Sequence, residues 1–344
     1  MSSTYLRYRE HVGRYVPFPP PMHSPKDTSP LTLKQQIHLL GWRLALRVWP
    51  ATVGRVYVSR RPIFPIGCHN SGTTILAFLI GQHPDIINWS EAPEVWAPDD
   101  AFLNWEVLPD PPLPQPFLFD MESYRRTVEQ HGEYLPLIRN VFTIFAVSRL
   151  KRRFLNKNPH MTLSLPYIEA AFPDACYVHI RRNGYAVVQS LVSNWRPVLN
   201  NPQAGWAKLR GVIDPCYFED PLALVRLCAR YWRDMDALAL EFLDSLPDSS
   251  RVYRTTYEEL CEKPEPILRE IFAQMDLAPA RYDWAQMQHP TKYPWNEHLP
   301  MENRNFKYRE RLTKEEIQAI TDEVGDVLDK YGYLDSTLRP GGGY

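Results

Sequence analysis

The eight residues Gly67-Cys68-His69-Asn70-Ser71-Gly72-Thr73-Thr74 carry the spacing G-x-x-x-x-G-x-[S/T]. Successive backbone N–H groups in such a turn, followed by a helix N-terminus, surround a phosphate. A nucleoside-triphosphate hydrolase or kinase places lysine just before the final Ser/Thr, on the β- and γ-phosphates, and an acidic strand end on magnesium. Here that position is Thr73, and a later strand ends Ile180-Arg181-Arg182. Metal-assisted γ-phosphoryl transfer therefore fits poorly, and an ATP-consuming kinase ranks last among the readings. On the motif alone, a plain N-capped turn between strand and helix stays open as an alternative.

The surrounding pattern supplies elements to hold that turn. Ile63-Phe64-Pro65-Ile66 reads as a short strand entering it, and the apolar stretch 74–80 as a helix leaving it and stopping at His83-Pro84. Residues 86–89 read as a second strand. Residues 176–180 read as a further strand that leads through Asn183-Gly184 into an apolar helix over 186–192. Downstream, 251–257 reads as a strand and 264–275 as a helix, while Thr313-x-x-Glu316 is a capping box opening a last helix that runs to about Tyr331. Strands alternating with helices imply a parallel sheet covered on both faces. No internal repeat is present.

Composition narrows the classes. A chain of 344 residues with 44% hydrophobic content can form one large α/β domain or two small ones, and is not disordered in the main. Lys+Arg 39 against Asp+Glu 40 excludes a bulk polycation built to coat nucleic acid. The first 62 residues nevertheless hold ten Lys/Arg against two Asp/Glu, a basic arm. Prolines cluster in 16–29 and 108–117 and mark extended connectors. Five cysteines (Cys68, Cys176, Cys216, Cys228, Cys261), an odd set without a C-x-x-C pair, argue against a disulfide framework and a zinc site. Reduced thiols and the lack of an apolar core in the first twenty residues give a cytoplasmic expectation. Leu31, Ile37, Leu40, Leu44 and Val48 recur at helical spacing among Lys34, Arg43 and Arg47, too charged to span a bilayer. Such a helix either packs on the domain, burying Trp42 and Trp49, or docks peripherally on an anionic membrane or polymer.

Several short motifs recur in a fixed order: Ser71-Gly72-Thr73-Thr74, His83-Pro84, Glu91, Asn156-Lys157-Asn158-Pro159, Phe172-Pro173-Asp174, Arg182-Asn183-Gly184 with Ser190, and Tyr257-Glu258-Glu259-Leu260. In this order the sequence resembles the sulfotransferases that use 3'-phosphoadenosine 5'-phosphosulfate (PAPS), particularly the branch with protein-tyrosine sulfotransferases and many bacterial members. The resemblance covers roughly residues 62–333. It implies a three-layer α/β fold, P-loop NTPase-like with a central parallel sheet, over 62–335. A basic, Pro-rich extension (1–61) precedes it and a flexible tail (336–344) follows. It also implies PAPS as co-substrate, no metal, a hydroxyl-bearing acceptor and no nucleic-acid partner.

The resemblance assigns roles as well. Asn70, Ser71, Gly72, Thr73 and Thr74 would hold the donor's 5'-phosphate. Arg182 and Ser190, eight positions later, would hold its 3'-phosphate; Tyr257 would lie near the adenine, and Arg304 and Lys307 in a segment folding over the donor. Glu91 would be the base, with Glu94 in reserve, and Lys157 the transition-state cation. Asn70 departs from the pattern, since relatives carry Arg or Lys there and His69-Asn70 replaces the usual Pro-basic pair. Lys157, helped by a protonated His69, would then carry the charge; otherwise the chain is a catalytically silent PAPS-binding regulator. The aromatic stretches 97–134 and 195–231, with Trp105, Trp195, Trp206 and Tyr217, read as inserts lining the acceptor cleft or covering core.

Overall fold

The computed structural model describes residues 60–90, 93–96, 132, 135–200, 220, 222–287 and 302–335. The basic extension up to residue 59, the tail from 336 and most of the two aromatic stretches, Trp105, Trp206 and Tyr217 included, lie outside the described residues, as does Glu91.

Five strands form one parallel sheet: β1 Ile63–Ile66, β2 Ile86–Ser90, β3 Arg153–Lys157, β4 Cys176–Arg181 and β5 Val252–Thr256, in the order β2-β3-β1-β4-β5. Parallel neighbours need crossovers, and helices supply them: α1 Thr73–Gly81, α2 Leu135–Ser148, α3 Leu165–Ala171, α4 Gly184–Asn200, α5 Ala223–Ser245, α6 Tyr257–Glu262, α7 Pro264–Gln274 and α8 Lys314–Lys330. Alternate strand residues face opposite layers. Ile63, Leu155, Cys176, Val178 and Ile180 pack with Leu76, Leu260 and Leu268 of α1, α6 and α7. Phe64, Ile66, Phe154 and Tyr177 pack with Phe142, Leu165, Val187, Trp232 and Ile320 of α2, α3, α4, α5 and α8. The result is the three-layer α/β architecture expected.

An aromatic cluster fastens the second layer. Phe142 stacks on Phe154 at 4.5 Å and 13°, and Phe64 meets Phe154 edge-on at 5.8 Å. Truncating a ring such as Phe154, fully buried in β3, costs about 3–5 kcal/mol.

One strand is added and one boundary moved. The run 153–157 is a strand, β3, which no period-two alternation announces. Of the two roles open to the stretch 195–231, Trp195 and Tyr231 take the core one, buried in helices α4 and α5. Tyr257 opens helix α6 behind a Thr256/Glu259 capping box, so it does not end a strand. The last helix begins where foreseen, with Thr313 and Glu316 forming a reciprocal capping box. Among the described residues no helix is long and apolar enough to cross a membrane.

Candidate active site

The strand order sets the site. β1 is central, so the turn after it emerges between the C-terminal ends of β3 and β4, which carry Lys157 and Arg181-Arg182. Ligands of open parallel sheets bind at such carboxyl ends. Two glycines make the turn feasible. A Cβ on Gly67 would land on the Ile180 carbonyl oxygen, and one on Gly72 would lie 2.7 Å from the Tyr257 ring. Gly72 also takes φ 98°, a left-handed value that favours glycine, and Asn70 takes φ 63°, which asparagine tolerates better than most residues. Thr162, from the 3₁₀ turn Pro159–Ser164, clamps the start of the loop. Its hydroxyl accepts from Gly67 N–H at 3.1 Å and donates to the Gly67 carbonyl at 3.2 Å.

The loop ends at the N-terminus of α1, where Gly72 supplies no side-chain cap. Ser71 is buried at 1% exposure, and its hydroxyl has no hydrogen-bond partner among the described residues. An orphaned buried hydroxyl beside uncapped helix N–H groups fits an anion such as a phosphate. Thr73 is buried and Thr74 half-buried in the first turn of α1.

Arg182 joins this loop to three other segments. Its Nη1 donates to the Asn70 carbonyl at 2.8 Å and its Nε to Asn305 Oδ1 at 2.8 Å, while its guanidinium lies 4.2 Å over the Tyr257 ring. Burial lowers its pKa, opposed by Tyr257 and Glu258. Glu258 accepts from Asn183 N–H at 3.0 Å, from Tyr333 OH at 3.1 Å and from the Asn305 amide. Tyr257 donates to the Glu302 carbonyl at 2.8 Å, and burial raises its phenol to about 12. Arg304 is near enough to pull that phenol the other way, and with Lys307 it flanks the 3₁₀ turn Asn305–Lys307. The neighbouring Arg181 has a different task. It pairs with buried Asp236 at 3.0 Å and stacks on Tyr331 at 3.6 Å, knitting β4 to α5 and α8. Ser190 lies half-buried in the second turn of α4 and makes no hydrogen bond to Arg182 among the described residues.

On the other side, Lys157 ends β3 with only 2% exposure. Its strand neighbour Ser90 is the last residue of β2. His69 completes the cluster: Nδ1 lies 2.8 Å from the Tyr231 hydroxyl, and its ring meets His160 edge-on at 4.4 Å. Desolvation, then His160 and Lys157, push its pKa well below the ordinary imidazole value. The protonated His69 expected from the sequence is therefore corrected to a neutral one near pH 7.

The loop thus brings together His69 through Thr74, Lys157, Arg182 and Tyr257, with Arg304 beside Tyr257. A profile of the sulfotransferase family matches residues 62–281, most of the chain and every strand of the sheet. The chain belongs to the sulfotransferase family. The chain is 25% identical over 305 residues to the nodulation protein NoeE of Sinorhizobium fredii, covering 79% of this chain and 66% of that protein. The chain thus spans slightly less than two thirds of NoeE's own length. It is 22% identical over 333 residues to the omega-hydroxy-beta-dihydromenaquinone-9 sulfotransferase Stf3 of Mycobacterium bovis, covering 85% of this chain and 80% of that one. Among solved structures, sulfotransferase STF9 from Mycobacterium avium superposes with a TM-score of 0.49 at 18% identity, covering 88% of each chain.

Motif reading named Asn158 without a role and did not single out Thr162, Asn305 or, as a loop partner, Tyr231. Asn158 caps the 3₁₀ turn by accepting from His160 N–H at 3.1 Å, and its buried amide nitrogen has no partner among the described residues. A buried polar residue directly after Lys157 was the available signal for it. Nothing local marks Tyr231, 162 residues from its loop partner.

Proposed function

We propose that this sulfotransferase moves the sulfuryl group of PAPS to a hydroxyl of a carbohydrate, lipid or other small acceptor. The observation that carries the reading is the placement of Arg182, held between the loop carbonyl of Asn70 and the face of Tyr257. A cation there, with no lysine in the loop, suits a nucleotide bearing a second phosphate better than a triphosphate. The bound donor supplies an activated sulfuryl group. Residues 70–74 hold its 5'-phosphate, Arg182 and Ser190 its 3'-phosphate, and Tyr257 the adenine side, with Arg304 and Lys307 in the segment alongside. Lys157 stabilises charge developing on the sulfuryl and bridging oxygens, and Glu91 takes the acceptor proton. The mycobacterial relative is named for a hydroxylated dihydromenaquinone, which supports a lipid hydroxyl among those acceptor classes.

A silent PAPS-binding regulator is the second reading, favoured by the uncharged Asn70 and the neutral His69. Two measurements test the pair. Adenosine 3',5'-bisphosphate should raise the melting temperature far more than AMP, and Arg182→Ala should abolish the difference; equal shifts in wild type overturn the donor assignment. Release of adenosine 3',5'-bisphosphate from PAPS on adding acceptors from a hydroxyl library marks the enzyme. Donor binding without release marks the regulator.

A further inference from the structure

Among the described residues, the imidazole of His69 is hydrogen-bonded on one edge only, at Nδ1. Tyr231, in the third turn of α5, sets its hydroxyl 2.8 Å from Nδ1, and the two rings lie 5.8 Å apart. His160, from the turn that follows Lys157, stands edge-on to the same imidazole at 73°. Among the described residues Nε2 makes no hydrogen bond. A neutral imidazole has one nitrogen that accepts and one that donates, and a phenol beside it donates to the accepting nitrogen, the stronger base of the two partners. With Nδ1 accepting from Tyr231, the ring's hydrogen resides on Nε2. Lys157 and His160 are the cationic and titratable neighbours that, with burial, oppose a second proton.

We propose that Tyr231 locks His69 in the Nε2–H tautomer, and that this N–H is a neutral donor to the anion held by loop 67–74, in place of the charge that Asn70 lacks. The identity of the anion rests on the sulfotransferase reading above. Tyr231 is a positioning residue, acting through the imidazole. The arrangement explains how a loop without its usual cation keeps a directed donor next to the phosphate. A fixed N–H needs no reorganisation when charge develops, which is what makes such donors effective.

The test uses the full chain labelled with 15N-histidine, the His69 signals being those lost in His69→Gln. Expected at pH 7 are the shifts of a neutral Nε2–H ring, and a change at Nε2 on adding adenosine 3',5'-bisphosphate. Tyr231→Phe should bring averaging between tautomers and about a three- to tenfold loss of affinity for that ligand. Two substitutions separate the nitrogens, because a glutamine amide reaches the place of Nε2 and an asparagine amide that of Nδ1. His69→Gln should retain about three- to tenfold more affinity for adenosine 3',5'-bisphosphate than His69→Asn. An Nδ1–H ring, an Nε2 signal indifferent to the ligand, or retention by Asn with loss by Gln overturns the proposal. The tautomer and the ligand shift without sulfuryl transfer to any acceptor would sustain it while sinking the sulfotransferase reading.

Discussion

Lys157 and Arg182 show how little a residue's type says until its strand is known. Both are basic residues near other basic residues, yet Lys157 is buried at a strand end beside the loop, and Arg182 reaches the loop while Arg181 turns to Asp236. Lys157→Ala should therefore cut turnover by about two orders of magnitude with little change in affinity for adenosine 3',5'-bisphosphate, measured by steady-state kinetics and calorimetry. Glu91→Gln should behave alike if position 91 holds the base, and a wild-type rate in either variant removes the role. His69 also ties stability to pH. Its native pKa lies well below the value of about 6.5 expected unfolded, so between the two the unfolded chain binds a proton that the native chain does not. Stability then rises with pH through that window and falls as pH drops below about 6.5. Asp236 adds to the loss lower down. Burial would raise its pKa, but its bond to His179, the charges of His179 and Arg181 and the Tyr331 hydroxyl hold it below 3.8, so its contribution is full above that value and fades as pH falls through the native one. Urea unfolding between pH 7.5 and 5 should show a decline that His69→Gln lessens; an unchanged slope would mean the imidazole is hydrated.

At the scale of elements, the turn chemistry carries the site. Gly72→Ala meets both a positive φ and the Tyr257 ring at 2.7 Å, so it should displace that ring and lower affinity for adenosine 3',5'-bisphosphate by tenfold or more. Gly67→Ala meets backbone, which cannot swing away, and should cost about 3 kcal/mol or more in a urea melt. Thr256→Ala removes half of the capping box that starts α6 at Tyr257 and should cost about 1 kcal/mol, with a few-fold loss of the same affinity. Thr313→Ala, at the cap of α8, should cost as much without touching affinity. The contrast between the caps tests whether α6 positions the nucleotide side. The strand, the turn and the cap of α8 were legible because their signals are local: an apolar four-residue strand, a Gly/Ser/Thr turn, and Thr313 three residues before Glu316; the like pair Thr256 and Glu259 was not, because β5 runs directly into α6. β3 was not, because Arg153-Phe-Leu-Asn-Lys157 buries the polar Asn156 and Lys157, which breaks a strand-like pattern. Helix α5 was obscured because its first nine residues end the aromatic-rich stretch 195–231, and its pairing of Tyr231 with His69 exists only after the chain has folded.

Across the molecule, the loop 67–74, β4, α6 and the segment 302–307 are joined through one guanidinium. Arg182 bonds Asn70 and Asn305, Asn305 bonds Glu258, and Glu258 receives Tyr333 from beyond α8, while Tyr257 holds the Glu302 carbonyl. Each of these bonds joins protein groups, so the chain's own contacts seat the segment 302–307 on the loop. Its seating depends on polar contacts at the surface of the core, since Phe306 is exposed and the packing anchor, Tyr308 stacked on Tyr185 at 4.9 Å, comes in the next turn. Segments held by a few part-buried hydrogen bonds open more readily than the core that supports them. Amides of 302–307 should then show measurable protection from hydrogen exchange in the free protein, lower than that of β1 and β4. Asn305→Ala deletes the side chain that bridges Arg182 and Glu258, so it should abolish that protection while leaving the exchange of β1 and β4 unchanged. Because binding would then have to order a segment that wild type holds in place, the variant's affinity for adenosine 3',5'-bisphosphate should fall several-fold. Protection in 302–307 that survives Asn305→Ala would show that packing at Tyr308 seats the segment, and that Arg182 answers to the loop alone.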